Sequence, residues 1–364
     1  MSEKKVLSKK VIIAVIAVSV VLVASIIIGF CLNNKATNNA VLNVAENDEY
    51  RDFETPTEEQ LSNGKLNICL ITKTYNNSYW DILIQGCIDA ANDMDVNLYT
   101  AGIAKESNTD RLAELMEHAL QMEPDAIIVS PADTSKIIDV CKRINEKDIP
   151  LIFVDTILNG QQFDVCFMTD NMQAGRMVAI DMVDKLRELG YTQDDKLSIG
   201  IDIGTKQSQT IIERLAGFNE YWSSNAPVNW RVIDTIKCND GSADVAYEQC
   251  LEFMDKNSDL AGLIGLNNGS TVGLSRGLVE RNRKDIALVG FDYSDEMASL
   301  IEGGEYQVST MVQLQYNMGY GSVTEAINIC NGIMPKYKFN NTGVMKVNHE
   351  NYKNPYIVVN ALRK

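Results

Sequence analysis

The chain has 364 residues, of which 45% are hydrophobic, 23% charged and 7% aromatic. That composition excludes wholesale disorder and fibrous repeats and leaves room for about two domains. With 33 basic against 49 acidic residues the net charge is −16, and the lysine excess of the first 35 residues leaves the rest more acidic still. Such a body repels a phosphate backbone, so nucleic acid is excluded as a partner. Only two histidines occur, His118 and His349, which leaves little for imidazole catalysis or a zinc site; no cofactor and no metal are expected.

Lys4, Lys5, Lys9 and Lys10 precede a run without charges from Val11 to Leu32. As a helix this run would reach about 33 Å, enough to cross a bilayer core of roughly 30 Å. The basic flank stays inside and the body is exported. Three fates are open: an uncleaved single-pass anchor, a lipid anchor on Cys31, or ordinary signal cleavage. Phe30 stands where a lipoprotein signal carries a small residue, and the run is long for a cleaved signal, so the anchor is the leading expectation.

Residues 33–63 are polar and acidic without an apolar period and read as a flexible tether of about 30 Å reach. From Leu66 the pattern changes. Leu66–Thr72 reads as a strand, followed by an aromatic and polar turn and a helix from about Tyr79 to Met94. Further strands are expected at Asn97–Ala101, Ala126–Ser130, Leu151–Asp155, Leu197–Ile203, Arg231–Lys237, Ala261–Leu266, Ile286–Phe291 and Gln307–Val312. Helical patterns fill the gaps; the clearest, Asn108–Met122, puts Leu112, Leu115, Met116, Ala119 and Leu120 on one face, with Asn108 or Thr109 as its cap. Strands alternating with helices predict an α/β architecture of parallel sheets covered on both faces, and the strand count predicts two such domains. Cys69 and Cys166 fall in strands, and Cys87, Cys141, Cys250 and Cys330 in helices; with no CxxC pair they read as small buried hydrophobes rather than disulfides. Asp255, Asn257 and Asp259 imitate the start of a calcium loop, but Leu260 and Leu266 replace the required glycine and glutamate, so a polar turn is expected.

Ligands of parallel sheets bind beyond the carboxyl ends of the strands. Those positions carry Tyr75 to Trp80, Asp155, Asn267, Asn268, Asp292 and Gln313, with Arg214 near the start of a helix. The set holds aromatics, planar amides, carboxylates and one arginine, but no nucleophile–base pair. Aromatic faces cover the C–H patches of a sugar ring, and the planar polar groups engage neighbouring hydroxyls. A strongly anionic ligand would call for more cations or a glycine-rich loop. Competing structural roles are a core position for Tyr79 and Trp80, an ion pair of Arg214 with Glu213 or Glu220, helix capping by Asn267 and Asp292, and turn or hinge duty for Asp155 and Gln313.

Several segments in this order are similar to those of the type I periplasmic sugar-binding proteins, nearest the ribose-binding branch, from about Leu66 to the carboxyl terminus. Asn77-Ser78-Tyr79-Trp80 with Gly86 resembles the family's Asn-Pro-Phe-Phe segment and later glycine. Asp155 resembles the aspartate of an Asp-Arg pair, with Thr156 in place of the arginine. Asp170-Asn171 resembles a crossover segment, and Arg214 with Gly217-Phe218 the Arg-x-x-Gly-Phe motif. Asn267-Asn268 stands where Asn-Asp is usual, Val289-Gly290-Phe291-Asp292 matches, and Gln313 falls at the hinge glutamine. The resemblance implies two Rossmann-like lobes joined by three crossovers, residues 64–170 with 314–343 and residues 171–313 with 344–364. It also implies a ligand site of Asn77, Tyr79, Trp80, Asp155, Arg214, Asn267, Asp292 and Gln313. The function it implies is capture of a small neutral sugar in an inter-lobe cleft that closes on it, for presentation to an ABC permease. The departures at Thr156 and Asn268 leave the sugar open. The alternatives are a surface-tethered sensor serving a histidine kinase or chemoreceptor, and a binder of a non-carbohydrate furanosyl signal. A glycosidase using Asp155 and Asp292 is a minor one.

Overall fold

In the computed structural model the described residues are 50–75, 78–132, 136–157 and 162–358. The expected anchor, Cys31 and Asn77 lie outside them. Among the described residues no helix is long and apolar enough to cross a membrane.

In chain order the first half runs β1 (Tyr50–Arg51), α1 (Glu58–Ser62), β2 (Asn67–Thr72), α2 (Ser78–Asp93), β3 (Asn97–Ile103), α3 (Thr109–Gln121), β4 (Ala126–Val129), α4 (Ile138–Glu146), β5 (Leu151–Val154) and β6 (Val165–Met168). It continues with α5 (Asn171–Glu188), β7 (Leu197–Ile203), α6 (Gln209–Asn225), β8 (Trp230–Val232), β9 (Lys237–Cys238), α7 (Ala243–Lys256), β10 (Leu260–Gly265), α8 (Asn268–Glu280), β11 (Ala287–Phe291), α9 (Asp295–Gly303) and β12 (Val308–Gln313). The last elements are α10 (Gln315–Cys330), β13 (Phe339–Asn341), β14 (Val344–Asn348) and α11 (Pro355–Ile357).

The strands form two sheets, β1-β3-β2-β4-β5-β6-β13 and β14-β12-β11-β10-β7-β8, with β9 also on β7. Every ladder is parallel except β1 on β3 and β14 on β12. Buried strands such as Ala126–Val129, Leu151–Val154 and Ala287–Phe291 are unbroken apolar runs because both faces of each sheet are covered by helices. Two apolar clusters flank the first sheet and two the second.

The chain passes between sheets three times, after β6, after β12 and between β13 and β14. Helix α5 packs on α6 in the second lobe, while α10 packs on α2 in the first. The α5–α6 contact is close: a Cβ on Gly175 would overlap the Arg214 carbonyl, and one on Gly217 the Met172 carbonyl. That approach brings the Arg214 side chain against the start of α5.

The structure departs from the sequence reading at several points, and strands β13 and β14 were not among those expected. Residues 50–63 of the expected tether are docked: β1 pairs with the edge strand β3, Phe53 is buried, and α1 carries a capping box at Thr57. A two-residue strand and one helical turn are too short to leave a periodic signal. The expected strand Arg231–Lys237 is divided into β8 and β9, both on β7, with a bend at the polar Asp234 between them. Asn108 does stand at the start of α3 but makes no side-chain cap bond. The seven cysteines described are all free, and those expected in strands and helices lie there. Asn257 to Asp259 is a turn before β10, with Asp259 accepting from Ser198.

Candidate functional site

The carboxyl ends of the strands of both sheets face one cavity lined by Lys73, Tyr79, Trp80, Glu106, Asp155, Arg214, Asn267, Asn268, Asp292 and Gln313, among others. Seven of the eight residues expected at the site therefore share one space; the eighth is Asn77. The cavity volume is about 40 Å³, room for roughly three waters. The lobes touch across the cleft, where Ser107 Oγ donates to Asp240 Oδ2 at 2.7 Å and Asn268 Nδ2 to Ser78 Oγ at 3.5 Å. The cleft is shut.

On the first lobe Asp155 follows the last residue of β5 with φ of 66°, a left-handed turn that aims its carboxylate across the strand ends. Lys73, immediately after β2, places Nζ 2.8 Å from Asp155 Oδ2. Tyr79 Oη donates to Asp155 Oδ1 at 2.6 Å, and Thr156 Oγ1 to Asp155 Oδ2 at 2.7 Å. Lys73 Nζ also donates to Thr156 Oγ1 at 2.9 Å. Burial opposes ionisation of Asp155, but the Lys73 charge and the three donors outweigh it and hold the carboxyl below its usual range. Burial likewise opposes the Lys73 charge, and Asp155 and then Glu106 overcome it and raise its pKa. Thr156 thus does not leave Asp155 without a cation: the charge comes from another strand end, and the threonine hydroxyl links the two.

Tyr79 and Trp80 open α2 and are both packed core residues and cavity wall, meeting edge to face with centroids 5.0 Å apart. The two readings of the sequence are compatible because the same ring carries a core side and a cleft side.

On the second lobe Arg214 is 3% exposed. Its Nε donates to Asn171 Oδ1 at 2.9 Å, its Nη1 to the Leu266 carbonyl at 2.6 Å, and its guanidinium lies 3.9 Å over the Phe291 ring. It makes neither of the competing ion pairs: Glu220 pairs with Arg176, and Glu213 accepts from Gln209. Arg214 also lines the cavity, with donors of its fork beyond these two bonds. Asp292 follows β11 with the same φ of 66° as Asp155. It caps no helix, since Ser294 caps α9; its Oδ1 accepts from Gln313 Nε2 at 3.1 Å. Burial pushes the Asp292 carboxyl up to about 7, against the lowering influence of Arg214 and Gln313. Asn267 does cap α8, accepting from the Ser270 amide at 3.3 Å, while also lining the cavity. Gln313 Oε1 is buried and has no hydrogen-bond partner.

Lys73 and Glu106 were not among the expected site residues. Both obey the strand-end rule, one directly after β2 and one just beyond β3, so closer attention to the first residues past each strand would have found them. The Glu106 carboxyl is raised, by burial first, against the lowering effect of Lys73. Among the described residues no cluster of three or more metal-ligating side chains occurs.

With this geometry in hand, likeness to known proteins carries weight. Residues 68–333 match the family described as periplasmic binding protein domain. The D-apiose import binding protein of Actinobacillus succinogenes is 21% identical over 261 residues, covering 71% of this chain and 80% of that protein. The ribose import binding protein of Bacillus subtilis is 21% identical over 238 residues, covering 64% of this chain and 72% of that protein. Among solved structures, an ABC transporter solute-binding protein from Agrobacterium vitis with bound D-fucose superposes with a TM-score of 0.75 at 23% identity, over 81% of this chain and 99% of that one. A carbohydrate transporter solute-binding protein from Agrobacterium radiobacter in complex with D-arabinose gives 0.76 at 22% identity, over 82% and 100%. Two lobes of mostly parallel sheet, three passages between them and this match over most of the chain lead to one conclusion: the protein belongs to the periplasmic binding protein domain family.

Proposed function

We propose that the protein is an extracytoplasmic solute-binding protein that captures a small neutral sugar between its lobes and hands it to an ABC permease. The observation that carries this reading is the shared cavity of Trp80, Arg214 and Asp292, an aromatic wall, a forked donor and a carboxylate drawn from both lobes. One cation of the site is already neutralised, Lys73 by Asp155, and the Arg214 charge acts on Asp292 across the second lobe, which suits a ligand without a strong charge of its own. Asp155 is not poised as a nucleophile or base, because both its oxygens are occupied by donors. Tyr79, Trp80 and Asp155 contact the sugar from one lobe and Arg214, Asn267 and Asp292 from the other, with Gln313 at the passage between lobes; Asn77 is assigned the same duty by the motif it belongs to. The names of similar proteins, which concern import of D-apiose and ribose, point the same way.

A ring of six atoms needs roughly 150 Å³, more than the shut cleft offers, so the lobes open to admit a sugar and close on it less far than here. Ligand then biases an open–closed equilibrium, and the closed shape is what the membrane partner reads. The apolar run Val11–Leu32 holds the body at the membrane as a single-pass anchor. A permanent anchor equally suits presentation of the closed form to a membrane sensor; loss of sugar uptake on deletion supports the permease, and intact uptake with a lost sugar response supports the sensor.

The test is a thermal-shift screen over pentoses, hexoses, deoxysugars and polyols, since a ligand of the folded state raises the melting temperature. A shift with one sugar, lost in Arg214→Ala, supports the reading. No shift with any sugar, but one with a nucleoside or other furanosyl compound, replaces it.

A further inference from the structure

Behind the second lobe's share of the cavity, four polar side chains form one run of hydrogen bonds. Asp202, near the end of β7, and Ser270, in the first turn of α8, are fully buried, and Asn239, directly after β9, is 2% exposed. Asn239 Nδ2 donates to Asp202 Oδ1 and, at 2.7 Å, to Ser270 Oγ. Ser270 Oγ in turn contacts Asn267 Oδ1, and Asn267 lines the cavity. The backbone holds these parts in place. The Asn239 amide donates to the Ile203 carbonyl at 2.9 Å and the Leu266 amide to the Asp202 carbonyl at 3.1 Å, while a Cβ on Gly269 would overlap the Gly241 carbonyl.

The direction of each bond in this run is fixed. The Gly241 amide, which can only donate, meets Asn239 Oδ1 at 2.7 Å, so the nitrogen of that side chain is the end turned to Asp202 and Ser270. The Ser270 amide meets Asn267 Oδ1 at 3.3 Å and identifies it as oxygen in the same way. Ser270 has one hydroxyl proton. It receives from Asn239, and two oxygens in contact need a proton between them, so its own proton goes to Asn267. Asp202 lies close enough to feel that hydroxyl: burial pushes its carboxyl up to about 7, against the lowering influence of Ser270, Asn239 and Lys237. Ionised or protonated, Asp202 keeps an oxygen that accepts from Asn239, and its Oδ2 is buried without a partner.

What remains for the cavity is the Asn267 amide nitrogen, which donates to nothing among the described residues. A Cβ on Gly204, which also lines the cavity, would stand 3.0 Å from that nitrogen and 3.9 Å from the oxygen, so the nitrogen is the end nearer the wall. Resting on the proposed sugar site, we infer that Asp202, Asn239 and Ser270 are positioning residues that hold Asn267 as a hydrogen-bond donor only, so that the ligand meets it with an acceptor. A hydroxyl satisfies that demand by turning a lone pair to Asn267 and its proton elsewhere. An ammonium group only donates, so an amino sugar carrying one at that position is refused.

Calorimetric titration of the full chain tests this with the neutral sugar of largest thermal shift and its monodeoxy and monodeoxyfluoro analogues. Fluorine keeps lone pairs where the hydroxyl had them and carries no proton. At the ring position that meets Asn267, the fluoro analogue should bind about fivefold more tightly than the deoxy analogue. Ser270→Ala should bring that ratio down to about one. Exchanging the first two members, Asp202→Asn with Asn239→Asp, keeps size and net charge and still accepts from the Gly241 amide. It reverses the run, however, because position 239 then only accepts and draws the Ser270 proton away from Asn267. The exchange should therefore lose the ratio as well, and Asp202→Asn alone, which keeps an oxygen for Asn239, should restore it. Unliganded melting temperatures near that of the parent show that folding is intact. An unchanged ratio in Ser270→Ala overturns the inference and leaves the sugar reading standing. A deoxy analogue that binds as well as the fluoro one at every position does the same. Binding of no sugar at all overturns both.

Discussion

The two lobes place an aspartate in the same backbone conformation at the same point of the fold, and then treat it differently. Asp155 and Asp292 each follow a buried strand with φ of 66°, each is 4% exposed, and each faces the cleft. Asp155 meets a lysine and two hydroxyl donors and is held ionised. Asp292 meets one amide, with Arg214 close enough to lower its pKa only in part, and burial leaves it near 7. Backbone geometry therefore sets where a carboxylate points, and the donors that converge on it set its charge. One lobe presents a finished, rigid ion pair; the other presents a group whose partners are still to come.

The largest effect should come from breaking the finished side. Lys73→Met strands a buried carboxylate and should cost about 3–5 kcal/mol of stability at pH 7, read by denaturant unfolding. The pH dependence identifies the cause. Asp155 has its folded pKa lowered, so its contribution is present above the ordinary carboxylate range and lost as pH falls through the folded value. Lys73 has its folded pKa raised, so its contribution is present below the ordinary lysine value and lost as pH rises through the folded one. The deficit of the variant should therefore be widest at neutral pH and shrink in acid, where Asp155 protonates; a constant deficit would mean lost packing alone.

On the other lobe, Arg214→Ala should weaken sugar binding at least 100-fold, about 3 kcal/mol, measured by calorimetry. An affinity within threefold of the parent would move the ligand away from the second lobe. Asp292→Asn should sharpen the comparison through pH. The folded pKa of Asp292 is raised to about 7, so its favourable contribution is full only below the ordinary carboxylate value and is lost as pH rises through 7. The asparagine variant should accordingly gain stability over the parent between pH 4 and 8, on the order of 2 kcal/mol, with little difference at the acid end. The smallest effect belongs to Thr156→Val, which removes one hydroxyl shared by Lys73 and Asp155 and should cost about 1 kcal/mol. A loss as large as that of Lys73→Met would show that the threonine, not the lysine, holds the aspartate.

Much of this was legible in the sequence, for identifiable reasons. Fully buried parallel strands are unbroken apolar runs, so Ala126–Val129, Leu151–Val154 and Ala287–Phe291 announce themselves, and the residue after each is a candidate for the cleft. Asp155 and Asp292 follow from that rule alone. Arg214 is carried by its motif, and the glycine three residues on explains itself in the close crossing of α5 and α6. What was not legible is long-range pairing. Nothing near Thr156 says that a cation 83 residues earlier replaces the arginine of the family pattern. Nor does the polar stretch after residue 49 reveal that Tyr50 and Arg51 add an edge strand, because pairing of two residues is a backbone matter. The double duty of Asn267, cap and cavity wall, escapes any reading that asks for one role per residue.

The most direct test of the account is small-angle scattering of the purified chain titrated with the sugar that gives the largest thermal shift. The account predicts an opened population without sugar and a smaller radius of gyration with it, a change that Arg214→Ala abolishes. A sugar that binds with the radius unchanged, in parent and variant alike, would contradict a cleft that closes on its ligand.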